Sequence, residues 1–139
     1  MQIIYTGFFI NEPQKLLAMF PPKHAKFFAH HSTNLFKPKP GDRIEVGNKV
    51  VLKILGRAYD EKGDALLVEN TFSQNKFPHI TLSCAEDVSP RYSDELLADA
   101  HTQHTLELFT EPVFIEATEG YFTSDGNVVT DIAKHTTLL

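Results

Sequence analysis

Apolar and polar residues alternate in short runs along the chain, and turn-forming residues separate the runs. β-Branched and aromatic residues dominate most of the runs, which is typical of strands. The predicted strands cover residues 3–10, 26–36, most of 42–59, 65–69, 77–85, 113–117 and 120–129. The sequence Ser124-Asp125-Gly126-Asn127 predicts a hairpin turn inside the last of these segments.

Two segments carry apolar residues at helical spacing instead. The first follows Asn11, which can cap a helix, and ends at Pro21-Pro22. Pro13 is tolerated in its first turn, and its apolar stripe consists of Leu16, Leu17 and Phe20. The second begins at Ser89 or Ser93 and continues through Leu96, Leu97 and Ala100. Two strand–helix units within antiparallel strands predict one α+β domain over residues 1–139.

Composition narrows the class of protein. With 139 residues, 42% hydrophobic and 22% charged, the chain is typical of a globular domain, and no apolar run is long enough for a membrane span. The net charge of −5 disfavours a protein that wraps long nucleic acid. One cysteine and no leader-like N-terminus lead us to expect a cytoplasmic protein, which we take to be a monomer.

The charge is unevenly distributed. Residues 1–57 carry nine basic and three acidic side chains, whereas residues 58–139 carry four and fifteen. A positive first segment could offer a surface to an anion while the whole chain stays acidic. The alternative is that these lysines are ordinary solvated surface residues.

A repeated His-x-Thr pattern is the main chemical signal. His31 and Thr33 lie in the second predicted strand, and His79 and Thr81 lie in the strand near position 80. Alternate side chains of a strand share a face, so each His projects with its Thr. Facing strands would bring two imidazoles and two hydroxyls around one small volume.

That set of side chains suits hydrolysis of a phosphodiester. The reaction needs a base for the attacking water and an acid for the departing oxygen, and histidine titrates near neutral pH. Threonine hydroxyls can donate hydrogen bonds to the non-bridging oxygens of the phosphate. This chemistry requires no metal and no cofactor. The alternative for each pattern alone is a half-buried structural histidine. His30 could replace His31 as the histidine of the first motif, but no Thr stands two residues after it.

The doubled motif resembles that of the 2H phosphoesterase superfamily, which includes the LigT-like RNA 2′,3′-cyclic phosphodiesterases. Residues 5–9, the following helix and residues 28–33 are similar to the first lobe of such enzymes, and residues 73–83 to the second. Among these enzymes, the chain resembles in particular the compact domains associated with RNA ligase and RNA-repair proteins. The likeness covers most of residues 1–120.

The resemblance implies a bilobal fold, with two antiparallel-sheet lobes, helices outside and a central cleft. It implies that His31 and His79 form the acid–base pair and that Thr33 and Thr81 hold the phosphate, without saying which histidine is the base. The implied substrates are RNA 2′,3′-cyclic phosphate ends or related cyclic or 2′,5′-linked nucleotides. The family usually has apolar residues beside the His and Thr, on the face of the strand that points away from the cleft. Ser32 and Asn34 occupy these positions in the first motif, so we predict that this face of its strand is less buried.

Further residues are candidates for substrate binding, each with a structural alternative. Lys37 and Lys76 flank the motifs and could hold the phosphate, or be solvated strand ends. Ser73 and Asn75 could line the cleft, or only form the turn into the strand. Tyr5 could stack on a base, although core packing is the stronger expectation.

Two other features predict structural roles. His101 and His104 have a spacing that can chelate a metal, but no recognised ligand pattern stands beside them, so a solvated helix end is expected and no metal site is predicted. Cys84 lacks a basic or His neighbour and is expected to be a small apolar filler. No phosphate-binding Gly-rich loop is present, so ATP use is not predicted.

Two alternatives to an enzyme remain open. One is a binding module of the same fold, which holds an RNA end or nucleotide without turnover. The other is a generic strand-rich interaction domain, based on residues 41–69, in which the two histidine motifs coincide by chance. On the enzyme reading we expect the basic first segment to line one side of the cleft and long RNA to be contacted only at its end.

Overall fold

The computed structural model describes residues 2–138 and is mixed α+β, as predicted, with a mostly antiparallel sheet and few helices. The strands are β1 (Ile3–Ile10), β2 (Lys26–Phe27), β3 (His31–Phe36), β4 (Lys49–Tyr59), β5 (Gly63–Glu69), β6 (His79–Cys84), β7 (Glu107–Thr123) and β8 (Val128–Val129). The helices are α1 (Pro13–Met19), α2 (Tyr92–Thr102) and α3 (Ile132–Leu138). Among residues 2–138, no helix is both long and apolar enough to cross a membrane.

All eight strands belong to one sheet. Its order is β2-β6-β5-β4-β7-β1-β3, with β8 paired to the end of β7. The two strands at the ends of this order, β2 and β3, follow each other directly in the sequence, so a short segment of chain connects both edges of the sheet. The sheet therefore curls, and β3 comes close to β6.

The predicted strand 26–36 is in fact two strands with a break between them. Phe28 and Ala29 donate backbone hydrogen bonds to Leu82 and Thr81 of β6, whereas the carbonyl of His30 accepts one from Ile10 of β1. The chain changes partner at Ala29, whose φ of 60° lies in the left-handed region. This turn ends regular alternation just before His31.

β3 lies unusually close to β1. A Cβ added at Gly7 would be 2.7 Å from the carbonyl oxygen of Ser32, so only glycine fits there. Gly7 pairs with Thr33 in the register of the two strands. The glycine thus sets the position of the first histidine motif against the centre of the sheet.

Three other elements differ from the sequence prediction. Residues 42–48 are not a strand; the chain turns there, with positive φ at Gly41 and Gly47, and β4 begins at Lys49. The segments predicted at 113–117 and from 120 belong to one long strand, β7, because it pairs with β4 along one side and β1 along the other. The short helix α3 was not predicted, since it has little apolar periodicity.

The largest buried cluster lies on the inner face of β1, β4, β5, β6 and β7, with Leu16 of α1 packed against it. A second cluster holds α2 to β4 and β5 through Leu96, Leu97 and Ala100. Cys84 is buried, as predicted. Within the interior Asp64 is fully buried and receives two hydrogen bonds from Arg57, at 2.9 and 3.0 Å.

Candidate active site

One cleft of ≈ 820 Å³ collects both histidine motifs. It lies between β3 and the edge formed by β6 and α2. His31, Thr33, His79 and Thr81 all line it. The other lining residues are Ile4, Tyr5, Phe28, His30, Phe36, Gln74, Asn75, Pro90, Arg91, Asp94 and Phe122.

Strand alternation places each His with its Thr, as the spacing predicts. Ser32 and Ile80, the middle residues of the two motifs, are fully buried behind the cleft wall. The side chains on either side of them therefore face the cleft. In the first motif the two cleft-facing groups touch: Nε2 of His31 lies 3.1 Å from the hydroxyl oxygen of Thr33.

His31 is surrounded by aromatic rings. Its imidazole stacks on Tyr5, with 4.5 Å between ring centroids, and lies 5.6 Å from the ring of Phe9. Burial, and then the neighbouring imidazoles of His30 and His79, lower the pKa of His31 from 6.5 to about 3. The imidazole is therefore neutral at physiological pH.

His79 has a different environment. Its Nδ1 lies 2.9 Å from the backbone carbonyl of Phe77, so Nδ1 carries hydrogen and donates to it. This leaves Nε2 as the nitrogen available to a ligand in the cleft. A carboxylate oxygen of Asp94, on α2, lies 3.7 Å from Nδ1. Asp94 therefore places a carboxylate beside the ring nitrogen that faces away from the ligand.

The second threonine is held by the start of α2. The hydroxyl of Thr81 lies 2.8 Å from that of Ser93, which is buried in the first turn of the helix. Arg91, the residue before the helix, lines the same part of the cleft, and its guanidinium lies 5.8 Å from the ring centre of Phe36. Arg91 thus supplies a positive charge to the cleft.

Asn70, the residue that follows β5, packs behind the first histidine motif. Ser32 and Asn34 are buried, at 0% and 4% exposure, so the prediction of a less buried strand face was wrong. Asn70 satisfies both: its amide nitrogen donates to the Ser32 hydroxyl at 3.1 Å and to the Asn34 side-chain oxygen at 2.7 Å. Polar side chains can be buried behind a strand when each has a hydrogen-bond partner, and Asn70 is that partner for both residues.

Of the two polar candidates before His79, Asn75 lines the cleft and Ser73 does not. The Ser73 hydroxyl donates to the backbone carbonyl of Thr33 at 2.7 Å and accepts from the backbone N–H of Asn75, which is the turn-forming role. Ser73 therefore supports the wall that Asn75 lines.

The two candidate lysines lie outside the cleft lining. The ammonium of Lys37 lies over the ring of Phe36, and that of Lys76 over the ring of Phe77. The first segment lines one side of the cleft, as expected, but no lysine or arginine from residues 2–57 is part of that lining. The strands of that segment face the cleft with aromatic and histidine side chains, and their lysines point elsewhere.

Tyr5 packs among other rings. Besides stacking on His31, it stacks on Phe122 of β7 at 5.3 Å, so neighbouring side chains already cover the ring faces that a base would use. Its hydroxyl lies 3.3 Å from Nδ1 of His31. Burial raises the pKa of Tyr5, which keeps the phenol protonated.

Sequence reasoning left four polar residues of the cleft lining out of the predicted site: Gln74, Arg91 and Asp94, and also His30, which it treated only as an alternative register. Gln74 lies in the polar stretch before His79 that was already suspected. Arg91 and Asp94 stand at the predicted start of α2. A cation and a carboxylate at that position could have marked them as candidate site residues. Their proximity to His79 depends on packing of α2 against β5 and could not be read from spacing.

The sequence matches no protein-family model, and a search of curated proteins finds no significant match. The cleft has to be interpreted from its own chemistry. Within residues 2–138, no group of three or more His, Cys, Asp or Glu side chains is arranged to hold a metal ion. His101 lies in the last turn of α2 and His104 just beyond it; both are exposed.

Proposed function

We propose that the protein is a phosphodiesterase that hydrolyses RNA 2′,3′-cyclic phosphate ends, or related cyclic or 2′,5′-linked nucleotides, by two-histidine acid–base catalysis. The observation that supports this most is the shared cleft. Two imidazoles and two threonine hydroxyls from separate strands line one volume of ≈ 820 Å³. That volume is in the range of small-ligand sites and suits one or two nucleotides.

The surroundings of the two histidines divide the catalytic work between them. His31 is held neutral by burial, so it acts as the base that removes a proton from the attacking water. His79 has the carboxylate of Asp94 beside Nδ1, so it acts as the acid that protonates the departing ribose oxygen. The Thr33 and Thr81 hydroxyls turn toward the phosphate and donate to its non-bridging oxygens.

The bilobal arrangement belongs to the same proposal. The β1–β3 side contributes His31 and Thr33, and the β5–β6 side with α2 contributes His79, Thr81 and Arg91. A cleft between two such lobes has to engage only one phosphate and the adjoining nucleotide, so the net charge of −5 does not oppose it. A free buried thiol fits the reducing cytoplasm that we propose as its location, where we take it to act as a monomer.

The test is phosphorus NMR of a 2′,3′-cyclic nucleotide incubated with EDTA-treated protein. We expect the strained cyclic phosphate signal to be replaced by one monoester signal, whose chemical shift identifies the 2′ or 3′ product. The same assay on oligonucleotides with cyclic ends and on 2′,5′-oligoadenylates defines the substrate. If all three substrates stay intact, the protein is not this enzyme.

Variants locate the activity. His31→Gln and His79→Gln should each lower kcat by about 10²–10⁴-fold, because each removes one proton-transfer role. The matched control is His104→Asn, an exposed histidine with a φ of 58° that asparagine also adopts readily. It should retain full activity. Equal loss in all three variants would show that the histidines act through folding only.

A binding module of the same fold is the second candidate. The aromatic lining favours it, since Phe28, Phe36 and Phe122 offer apolar surface to a nucleotide without any chemistry. Nucleotide binding by the wild-type protein with no turnover of any of the three substrates would support the module over the enzyme.

A further inference from the structure

His30 and His31 are sequence neighbours whose side chains meet. In a regular strand, adjacent side chains point to opposite faces, so the two rings could not touch. Here their Nδ1 atoms are 3.0 Å apart, and both rings line the cleft. The break at Ala29 makes this possible, because its left-handed backbone redirects His30 before β3 begins.

The backbone at Ala29 is unfavourable by itself. At φ near 60° the Cβ of a residue crowds the following carbonyl oxygen, so this conformation is less stable than the ordinary ones. Ala29 is fully buried and is fixed by its hydrogen bond to Thr81, so the surrounding structure maintains that conformation. Such conformations concentrate at functional sites.

Both nitrogens of His31 already have neighbours. Nδ1 faces His30 at 3.0 Å and the Tyr5 hydroxyl at 3.3 Å, and Nε2 faces the Thr33 hydroxyl at 3.1 Å. A neutral imidazole carries hydrogen on only one nitrogen. If Nε2 carries it, the lone pair lies on Nδ1, between His30 and Tyr5, away from the Thr33 hydroxyl. If Nδ1 carries it, the lone pair on Nε2 is on the Thr33 side.

We propose that His30 is a positioning residue: its Nδ1 accepts the Nδ1 hydrogen of His31 and so fixes the tautomer with the lone pair on Nε2, which becomes available once the Thr33 hydroxyl turns to donate to the phosphate. His30 is the better partner, since its 3.0 Å contact is within the usual hydrogen-bond range and the 3.3 Å contact of Tyr5 is beyond it. Its own hydrogen is then on Nε2. Burial lowers the pKa of His30, which keeps it neutral and able to accept.

The role follows from proton balance. When Nε2 of His31 takes the proton of the attacking water, the ring becomes a cation with hydrogen on both nitrogens, and its Nδ1 hydrogen still points at His30. The His30 lone pair thus stabilises the charge formed in that step. This inference rests on the proposed function for the reaction, but the tautomer itself can be observed without any substrate.

The test is nitrogen NMR of histidine-labelled protein, which reports which ring nitrogen carries hydrogen. We expect His31 to carry it on Nδ1 in the wild type. In His30→Phe, which keeps a ring beside Phe9, we expect it to move to Nε2, because the Tyr5 hydroxyl then donates to Nδ1. His30→Asn supplies an acceptor oxygen and should restore the wild-type tautomer. Tyr5→Phe is the matched control and should leave it unchanged.

Kinetics supply the second readout. His30→Phe should lower kcat by about 10–100-fold, the usual cost of losing an orienting partner, with KM changed by less than about threefold. His30→Asn should recover most of that loss. The proposal is overturned if wild-type His31 carries hydrogen on Nε2, or if Tyr5→Phe rather than His30→Phe moves it. Tautomers as expected with no turnover of any phosphodiester would instead overturn the proposed function and leave the His30–His31 contact established.

Discussion

Holding His31 neutral makes the fold sensitive to acid. Its pKa is lowered from 6.5 to about 3 in the folded protein, so between these values the unfolded chain binds a proton that the native state does not. The contribution is therefore complete above pH 6.5 and is lost as the pH falls toward 3. Each pH unit in that window costs about 1.36 kcal/mol, so at pH 4.5, two units below 6.5, the loss is about 2.7 kcal/mol.

The perturbation is His31→Phe, which keeps an aromatic ring against Tyr5 but cannot titrate. The assay is urea unfolding of wild type and variant at pH 7.5 and pH 4.5. All other groups are present in both proteins, so the difference between the two pH-induced changes reports the titration of His31 together with its coupling to His30 and His79. We expect the wild type to lose about 2.7 kcal/mol more than the variant, a midpoint shift of about 1.3 M for a urea slope near 2 kcal/mol/M.

Equal pH-induced changes in the two proteins, within about 0.5 kcal/mol, would refute the reasoning. His31 would then be protonated in the native state near its ordinary pKa. An imidazole of ordinary pKa is still mostly neutral at pH 7.5 and can act as a base, but burial would then not be what holds His31 neutral. His104→Asn serves as the reference for a histidine outside the cleft and should follow the wild type.

Two further predictions concern buried polar groups. Asp64→Asn should lower the free energy of unfolding by about 3–5 kcal/mol, because Arg57, only 11% exposed, loses its counter-charge. Ser83→Ala removes the hydrogen bond to Asp64 and the one that Ser83 accepts from the His24 backbone N–H, and it should cost about 1–2 kcal/mol in the same urea experiment. An equal effect of both would show that the charge pair contributes nothing beyond its hydrogen bonds. Asn70→Ala should cost about 1–3 kcal/mol, since it leaves Ser32 and Asn34 without their buried partner, whereas Asn11→Ala, on an exposed amide, should stay within about 0.5 kcal/mol. Thermal unfolding measures both, and an unchanged Asn70→Ala midpoint would show that water replaces the amide.

Much of the local structure was predictable from the sequence. Period-two alternation identifies strands and states which residues share a face, and this is why His31 with Thr33 and His79 with Thr81 were paired correctly. The turn at 124–127 and the apolar stripe of α2 were also predictable, because turn residues and helical spacing act over a few residues.

Alternation did not reveal where a strand breaks. Nothing in the composition of residues 26–36 marks Ala29, an ordinary residue that adopts a left-handed conformation because its neighbours bond to different strands. The contact between His30 and His31 follows from that break. It was therefore invisible to any rule that treats the segment as one strand.

The surroundings of the cleft were decided by the tertiary structure alone. Ser32 and Asn34 are buried because Asn70, distant in sequence, meets them; Arg91 and Asp94 reach the cleft because α2 packs on β5. The sequence states which side of a strand a residue occupies. Which strand or helix faces that side depends on the closure of the whole sheet, and that closure brings groups from distant positions close enough to change a pKa or fix a tautomer.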